Sequence, residues 1–262
     1  MIGTGRRLSS VGAVIAVASI ACGAATASST SPAGGTSSPV TRLGSGAAEV
    51  WIFRPSGPAT AVVVFAHGWS TPTPAGFAGW ISHLRNRGSI VIYPRYQTPG
   101  ESTAAALSAF RRGLVTAFRA LGRERLPVVA IGKSFGGSAV FDYAAQAPDW
   151  GVPRPKAVLS VFPAGPIGGA LPHGTIPATT QVTVMVGDRD IVAGRTGADA
   201  FWRWLSTIPA ANRRYVVVRS AQGFAAVHDA PQRTDEPARR AFWAPLDAMI
   251  ARAVQAAVAG QR

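Results

Sequence analysis

Cysteine and acidic residues are both scarce in this chain. Cys22 is the only cysteine among 262 residues, which excludes an intramolecular disulfide framework. Only 12 residues are Asp or Glu, against 26 that are Lys or Arg, so the formal net charge is +14. Such an excess can indicate nucleic acid or an anionic surface as a partner. The basic residues are nearly all arginine and are scattered along the chain. We therefore interpret them as a solvated basic surface and expect no nucleic-acid partner.

Long apolar runs are also missing. The apolar stretch at residues 11–21 is too short for a permanent transmembrane helix, and it follows Arg6 and Arg7, as in an export signal. Ala25-Thr26-Ala27 fits a small-residue cleavage site, which predicts removal of residues 1–27 and secretion of the remainder. The alternative is a lipoprotein signal, in which Cys22 carries a lipid anchor on the outer face of the membrane. Membrane contact is then expected only through the signal or this anchor.

Large apolar residues are rare from residue 28 to residue 46, where Ser, Thr, Gly, Pro and Ala dominate. Such a segment cannot bury enough surface to fold, so we predict a flexible tether over 28–46. The remaining 47–262 is long enough for one α/β domain, with nearly half of the whole chain hydrophobic. We expect this part to be the folded domain.

The predicted domain alternates β-branched apolar runs with amphipathic helical patterns. Such alternation predicts a mainly parallel sheet with helices on both faces, whose active site lies at the carboxyl ends of the strands. The strands are expected at 49–54 (on the edge of the sheet), 61–66, 89–93, 127–131, 157–162, 182–186 and 215–218, and the helices at 77–87, 103–121, 138–147, 199–205 and 237–258.

A phosphate-binding loop is excluded, although Gly132-Lys133-Ser134 follows an apolar run. That motif requires a glycine five positions before the Gly-Lys-Ser, so that backbone N–H groups can surround a phosphate. Pro127 occupies this position, and proline has no N–H to donate. The same stretch instead fits G-x-S-x-G, with glycine at 132 and 136, which is the pattern of a nucleophilic serine on a sharp strand-to-helix turn. The glycines are expected there because the serine is held in a strained backbone conformation, so side chains two residues before and after it would clash with neighbours.

Polar residues also follow three other predicted strands. They are His67-Gly68-Trp69 after the strand at 61–66, Gly187 to Asp190 after the strand at 182–186, and His228 in the loop after the last strand. Because parallel strands end at one edge of the sheet, these groups are expected near Ser134. Together they supply a nucleophile, a base, an acid and backbone donors.

These motifs resemble the α/β-hydrolase superfamily from residue 47 to the end of the chain, and in particular its serine esterases, lipases and dienelactone-hydrolase-like members. The resemblance implies a catalytic triad in the chain order Ser134, Asp190, His228. The family pattern of strand, Gly, short gap, Asp and apolar residue selects Asp190, with Asp188 in reserve. It also implies an oxyanion hole formed by the backbone N–H groups of Phe135 and Trp69.

The expected activity is hydrolysis of carboxylic esters, without a metal ion or cofactor. The segment 163–180 is short and rich in glycine and proline, so no large cap domain is expected over the site. Ile191 and Phe224 are candidates to line it for small-molecule, lipid or polymer esters. An acyltransferase with the same triad, or a non-catalytic binding protein on this scaffold, are the alternatives.

Lys133 departs from the family pattern, in which an uncharged residue often precedes the serine. The favoured interpretation is a solvated side chain, because lysine usually extends its ammonium into water. The alternative is a cation near the serine that disfavours protonated His228 and assists anionic substrates. Asp229 adjoins His228 and is expected to support the loop structure.

Overall fold

Eight strands form a single sheet in the computed structural model of the protein, which describes residues 40–122 and 124–260. The order across the sheet is β1-β2-β4-β3-β5-β6-β7-β8. The pairs β1/β2 and β2/β4 are antiparallel, and all other pairs are parallel. The strands are β1 (Val40–Leu43), β2 (Val50–Phe53), β3 (Ala61–Ala66), β4 (Ser89–Pro94), β5 (Val128–Lys133), β6 (Ala157–Val161), β7 (Gln181–Gly187) and β8 (Arg213–Val218). The carboxyl ends of β3 to β8 therefore share one edge of the sheet.

The helices begin and end where local sequence favours it. Ser102 caps α2 by accepting a hydrogen bond from the backbone N–H of Ala105 at 3.2 Å, and Gly122 ends the helix with a positive φ of 65°. The helices are α1 (Ala78–Asn86), α2 (Thr103–Leu121), α3 (Phe135–Gln146), α4 (Thr196–Trp204), α5 (Glu236–Ala238) and α6 (Ala244–Ala259), with a π-helical turn at Arg239–Trp243 between the last two. The predicted helix at 237–258 is thus interrupted by a π-helical turn.

The central strands β3 to β7 are buried on both faces, as their continuous apolar runs predict. Along β3, Val62 and Val64 join one apolar core while Val63 and Phe65 join the other. Successive side chains of a strand point to opposite faces, so this alternation places one core on each side of the sheet. The first core includes Phe110 of α2, Phe141 of α3 and Phe201 of α4, and the second includes Trp80 of α1 and Leu246 of α6.

The folded domain begins earlier than the predicted residue 47. Val40–Leu43 form β1, which pairs antiparallel with β2 inside the segment assigned to the tether. The segment at 49–54 is consequently not at the sheet edge, because β2 lies between β1 and β4. Both predictions were wrong for the same reason: four residues in a Ser/Gly/Pro-rich context become a strand by pairing with the next strand in the chain. The predicted export signal at 1–27 lies outside the described residues.

The segment between β6 and β7 contains only a short 3₁₀ helix, Ile167–Gly169, so no cap domain is inserted in this described part of the chain. The prediction of a cap-free α/β architecture is confirmed. None of the helices in residues 40–122 and 124–260 combines the length and apolar character of a membrane span.

Candidate active site

Ser134 occupies a sharp turn between the end of β5 and the start of α3. Its backbone lies at φ 58° and ψ −120°, a conformation that costs a non-glycine residue about 1–3 kcal/mol. A Cβ atom at Gly132 would lie 2.0 Å from the carbonyl oxygen of Gly136, and one at Gly136 would lie 2.2 Å from that of Ala66. Only glycine fits either position, which confirms the steric reason expected for the G-x-S-x-G pattern.

Three strand ends bring Ser134, His228 and Asp190 into a hydrogen-bonded chain. His228 Nε2 lies 2.9 Å from Ser134 Oγ, and His228 Nδ1 lies 2.9 Å from Asp190 Oδ2. The Asp190 side chain is fully buried, while 12% of the His228 side chain is exposed. The geometry aims one imidazole nitrogen at the hydroxyl and the other at the carboxylate, which is the arrangement required for general-base activation of a serine.

The carboxylate of Asp190 is fixed by its own loop. Asp190 Oδ1 accepts hydrogen bonds from the backbone N–H groups of Val192 at 2.9 Å and Ala193 at 3.1 Å. These contacts leave Oδ2 directed at His228. The apolar residue two positions after the aspartate therefore belongs to a local turn that orients the acid.

Asp188 has a different set of contacts. Its carboxylate accepts hydrogen bonds from the hydroxyl of Ser220 at 2.5 Å and from the backbone N–H of Ser220 at 2.9 Å. These hydrogen bonds lower the pKa of Asp188, which is exposed. Asp188 thus joins the ends of β7 and β8, while Asp190 contacts the histidine.

Two backbone N–H groups near Ser134 are available for an oxyanion. In the described part of the chain, the N–H groups of Trp69 and Phe135 have no hydrogen-bond acceptor. Phe135 is the first residue of α3, where helix N–H groups lack intrahelical partners. The two turns are joined because Gly136 N–H donates to the carbonyl oxygen of His67 at 2.9 Å. The Trp69 and Phe135 rings pack edge to face with centroids 5.1 Å apart.

His67 stabilises the turn that carries Trp69. Its Nδ1 lies 2.7 Å from the carbonyl oxygen of Gly68, and its Nε2 lies 2.6 Å from that of Arg95. The ring stacks on the ring of Tyr96, with 3.9 Å between the two ring centroids. Burial lowers the pKa of His67 to about 4, although both carbonyl contacts oppose this change. The two ring contacts join the Trp69 turn to Arg95, the residue that follows β4.

The surroundings of the site differ from the predicted lining in one respect. Ile191 is 96% exposed and Val192 is 72% exposed, so an apolar tip stands beside the acid. Phe224, by contrast, is buried and packs against Phe242 with ring centroids 6.3 Å apart. The prediction that Phe224 lines the substrate site was wrong, because the residue completes the core beneath its loop.

A cavity of about 590 Å³ opens beside the Trp69 turn. Its walls include Trp69, Arg95, Gln97, Pro99 and Glu101, so both apolar and polar groups line it. Gln97 shapes the cavity by accepting a hydrogen bond from the backbone N–H of Ser70 at 2.7 Å. Sequence patterns gave no sign of this cavity, because its two walls come from separate loops.

Lys133 is buried, and the prediction of a solvated side chain was wrong. Its Nζ lies 2.9 Å from Asp229 Oδ1, and only 8% of the lysine side chain is exposed. Local sequence carried no signal for this pair, since the two residues are 96 positions apart.

His173, the histidine between β6 and β7, is exposed. Within the described residues, no cluster of three His, Cys, Asp or Glu side chains is arranged to hold a metal ion.

The fold is similar to that of several solved esterases. One is esterase B from Lactobacillus rhamnosis, in a structure with a tributyrin phosphonate inhibitor. The matched region covers 85% of this chain and 89% of the esterase chain, with 14% sequence identity and a TM-score of 0.62. Another is esterase 2 from Thermogutta terrifontis, phosphoramylated by tabun. The matched region covers 78% of this chain and 89% of that chain, with 15% sequence identity and a TM-score of 0.59.

A third similar structure is MGS-M1, an α/β-hydrolase enzyme from a Medee basin deep-sea metagenome library. The shares are 82% of this chain and 98% of that one, at 13% identity and a TM-score of 0.59. No protein-family model matches the sequence, and no curated protein matches it. The structural likenesses show that the chain has the α/β-hydrolase fold, with a mainly parallel sheet and helices on both faces.

Proposed function

We propose that this protein is an exported serine hydrolase that cleaves carboxylic esters through an acyl-enzyme on Ser134. The observation that carries the proposal is the hydrogen-bonded chain from Ser134 Oγ through His228 to Asp190, with 2.9 Å at each contact. The similar structures support it, since they include an esterase phosphorylated by paraoxon and an esterase inhibited by a tributyrin phosphonate.

Acylation begins when neutral His228 accepts the proton of Ser134 Oγ, as this oxygen attacks the ester carbonyl carbon. Asp190 accepts the Nδ1–H hydrogen bond and stabilises the imidazolium that forms. The imidazolium then donates its Nε2 proton to the leaving alkoxide, so an alcohol departs and the acyl group stays on Ser134. In the second half, His228 activates a water molecule, which releases the carboxylic acid and regenerates the serine.

The negative charge that develops on the carbonyl oxygen requires donors already in place. We assign this role to the backbone N–H groups of Phe135 and Trp69, because both are free among the described residues and flank Ser134. Loss of one such donor reduces kcat by about 10²–10³-fold in comparable sites. Displacement of the Trp69 turn should therefore reduce activity even with the triad intact.

Carboxylic esters with an apolar part suit the surroundings of Ser134. Ile191 and Val192 follow Asp190 in the chain and expose aliphatic surface, and a cavity of about 590 Å³ lies beside Trp69. Without a cap domain in the described part of the chain, water can reach the acyl-enzyme. This openness favours hydrolysis over acyl transfer, and adding alcohol acceptors to an ester assay would separate the two activities by product analysis.

The decisive experiment is covalent labelling with a fluorophosphonate, with Ser134→Ala as the control. Wild type should label and Ser134→Ala should not, and paraoxon should inactivate the enzyme with about one leaving group released per protein molecule. An ester series of increasing acyl length then defines the preference. His228→Ala should abolish turnover, whereas His173→Ala, at an exposed histidine of the β6–β7 segment, should leave it intact. Absence of labelling would favour the non-catalytic binding protein.

For its location, we propose secretion after cleavage behind Ala27, with a lipid anchor at Cys22 as the competing outcome. The proposal is supported by the paired arginines, the short apolar stretch and the small-residue site in residues 1–27. Mass spectrometry of the exported protein decides between them. A mature N-terminus at Ser28 supports secretion, and a diacylated N-terminal Cys22 supports anchoring.

A further inference from the structure

The residue before the nucleophile is in an unusual environment for lysine. Lys133 ends β5, and its side chain is only 8% exposed. Lysine is almost never buried without a partner, because removing an ammonium group from water is costly. The partner is Asp229, whose Oδ1 lies 2.9 Å from Nζ and which directly follows His228. The ion pair therefore joins the residue before the nucleophile to the residue after the base.

The stem of the same lysine runs along a third loop. A Cβ atom at Gly68 would lie 3.1 Å from Lys133 Cδ and 3.5 Å from Lys133 Nζ. It would also lie 3.4 Å from the Cβ of Ser134. Gly68 precedes Trp69, so the lysine passes between the turn that supplies an oxyanion donor and the loop that supplies the histidine. Three strand ends meet at this side chain.

The two ends of the pair differ in exposure. The Asp229 side chain is 74% exposed, whereas that of Lys133 is buried. The hydrogen bond from Lys133 lowers the pKa of Asp229, so the carboxylate is ionised at neutral pH. Without Asp229, the buried ammonium group of Lys133 would have no compensating charge, which is unfavourable. The pair therefore fixes the position of the Lys133 side chain, between the Gly68 turn and the loop that carries His228.

We propose that Lys133 and Asp229 form a positioning pair that holds the imidazole of His228 against Ser134 Oγ. This inference rests on the proposed function, because it assigns a role within the same site. Neither side chain forms a hydrogen bond with Ser134 Oγ or with a ring nitrogen of His228, so we assign their effect to the alignment of these two groups for proton transfer. Small displacements of reacting groups can cost up to about 10²-fold in rate. The expected change therefore lies in kcat, with KM nearly unchanged.

The test compares Lys133→Met, Asp229→Ala and the double variant in steady-state ester hydrolysis. Each single change should lower kcat about tenfold and alter KM by less than about twofold. The double variant should be no slower than the slower single variant, because both changes remove the same interaction. Asp229→Glu should recover most of the rate, since the exposed end of the pair has room for one more methylene group. The rate of fluorophosphonate labelling should follow kcat.

The outcomes separate this inference from the proposed function. If Ser134→Ala and His228→Ala retain wild-type turnover, the proposed function fails, whatever Lys133 does. If these two are inactive while Asp229→Ala keeps its full kcat, the positioning role is refuted. Multiplicative effects, or a change in KM alone, would refute it as well. Thermal unfolding controls for folding, and if Lys133→Met does not fold, the exposed Asp229 variants still decide the question.

Discussion

The nucleophile turn, residues 132–137, and the partner loops, residues 187–193 and 219–229, differ in what fixes their shape. The nucleophile turn is buried, and its backbone atoms are so close that a Cβ atom at Gly132 or Gly136 would overlap a carbonyl oxygen. The partner loops share one such close approach, since a Cβ atom at Gly187 would lie 2.1 Å from the carbonyl oxygen of Ala226. Beyond that point they are largely exposed and are held by polar contacts, such as those of Asp188 with Ser220 and of Asp229 with Lys133. Close packing therefore fixes the whole nucleophile turn, whereas most of each partner loop depends on polar contacts.

The largest effect should come from Gly136→Ala in the nucleophile turn. The added Cβ would lie 2.2 Å from the carbonyl oxygen of Ala66 and 2.4 Å from that of His67, and backbone atoms cannot move aside cheaply. We expect a loss of more than about 4 kcal/mol in unfolding free energy, or no folded protein at all. Circular dichroism and urea unfolding measure this. Gly57→Ala is the matched control, since nothing lies within 4 Å of its added Cβ. Wild-type stability of Gly136→Ala would contradict packing control of the turn.

The two aspartates of the β7 loop provide the next comparison. Asp190→Asn should lower kcat by about 10⁴-fold, because the amide no longer fixes the required imidazole tautomer. Asp188→Asn should keep kcat within a few-fold and mainly reduce stability, since Asp188 bonds Ser220 and not His228. Kinetics and thermal unfolding of both variants measure these effects. A greater loss of activity in Asp188→Asn than in Asp190→Asn would reverse the assignment of the acid.

A third test addresses the pH dependence of the helix behind the nucleophile turn. Burial raises the pKa of Asp142 in α3 from 3.8 to about 7, although a hydrogen bond from Gln146 partly opposes this. Between these values the folded state holds a proton that the unfolded state has released, so this residue destabilises the fold increasingly as pH rises. The unfolding free energy of Asp142→Asn, measured relative to wild type, should therefore increase by about 1–3 kcal/mol when the pH is raised from 4 to 8. Urea unfolding of both proteins at pH 4 and at pH 8 measures this change. If the variant and wild type differ by the same unfolding free energy at both pH values, the assigned pKa is contradicted.

The smallest effect is expected at the apolar tip of the acid loop. Ile191→Ser removes aliphatic surface that is 96% exposed, so folding stability should hardly change. Loss of its contact with a long acyl chain should raise KM about fivefold, since each buried methylene contributes about 0.8 kcal/mol. Short-chain esters should be unaffected. Val258→Ser on α6, where the valine is 50% exposed, is the control. Equal KM changes for short and long chains would exclude Ile191 from the acyl site.

Sequence patterns located most of the fold because its central strands are continuous apolar runs. The predicted β3 and α2 have the observed bounds, and the other predicted elements are shifted by a few residues at their ends, apart from the helix at 237–258, which a π-helical turn interrupts. The order of motifs along the chain also placed Ser134, Asp190 and His228 at one edge of the sheet. A parallel sheet makes this possible, since each strand end delivers its next residues to the same side.

The missed features depend on strand pairing and on tertiary contacts. β1 has only four residues, and its strand conformation depends on pairing with β2, the next strand in the chain. The burial of Lys133 depends on Asp229, and the burial of Phe224 depends on Phe242. None of these partners can be identified from local composition. Residue type alone therefore suggested a solvated lysine and a site-lining aromatic, and tertiary contacts reversed both.

The hydrogen bond from Gly136 N–H to the carbonyl oxygen of His67 has a consequence for ligand binding. It joins the start of α3 to the turn that carries Trp69, so both assigned oxyanion donors belong to one hydrogen-bonded backbone unit. The proposed oxyanion hole is then assembled before any ligand binds, and no binding free energy is spent on assembling it. Tetrahedral phosphonates should accordingly bind without an isomerisation step, and their inactivation kinetics should remain single-exponential at all concentrations.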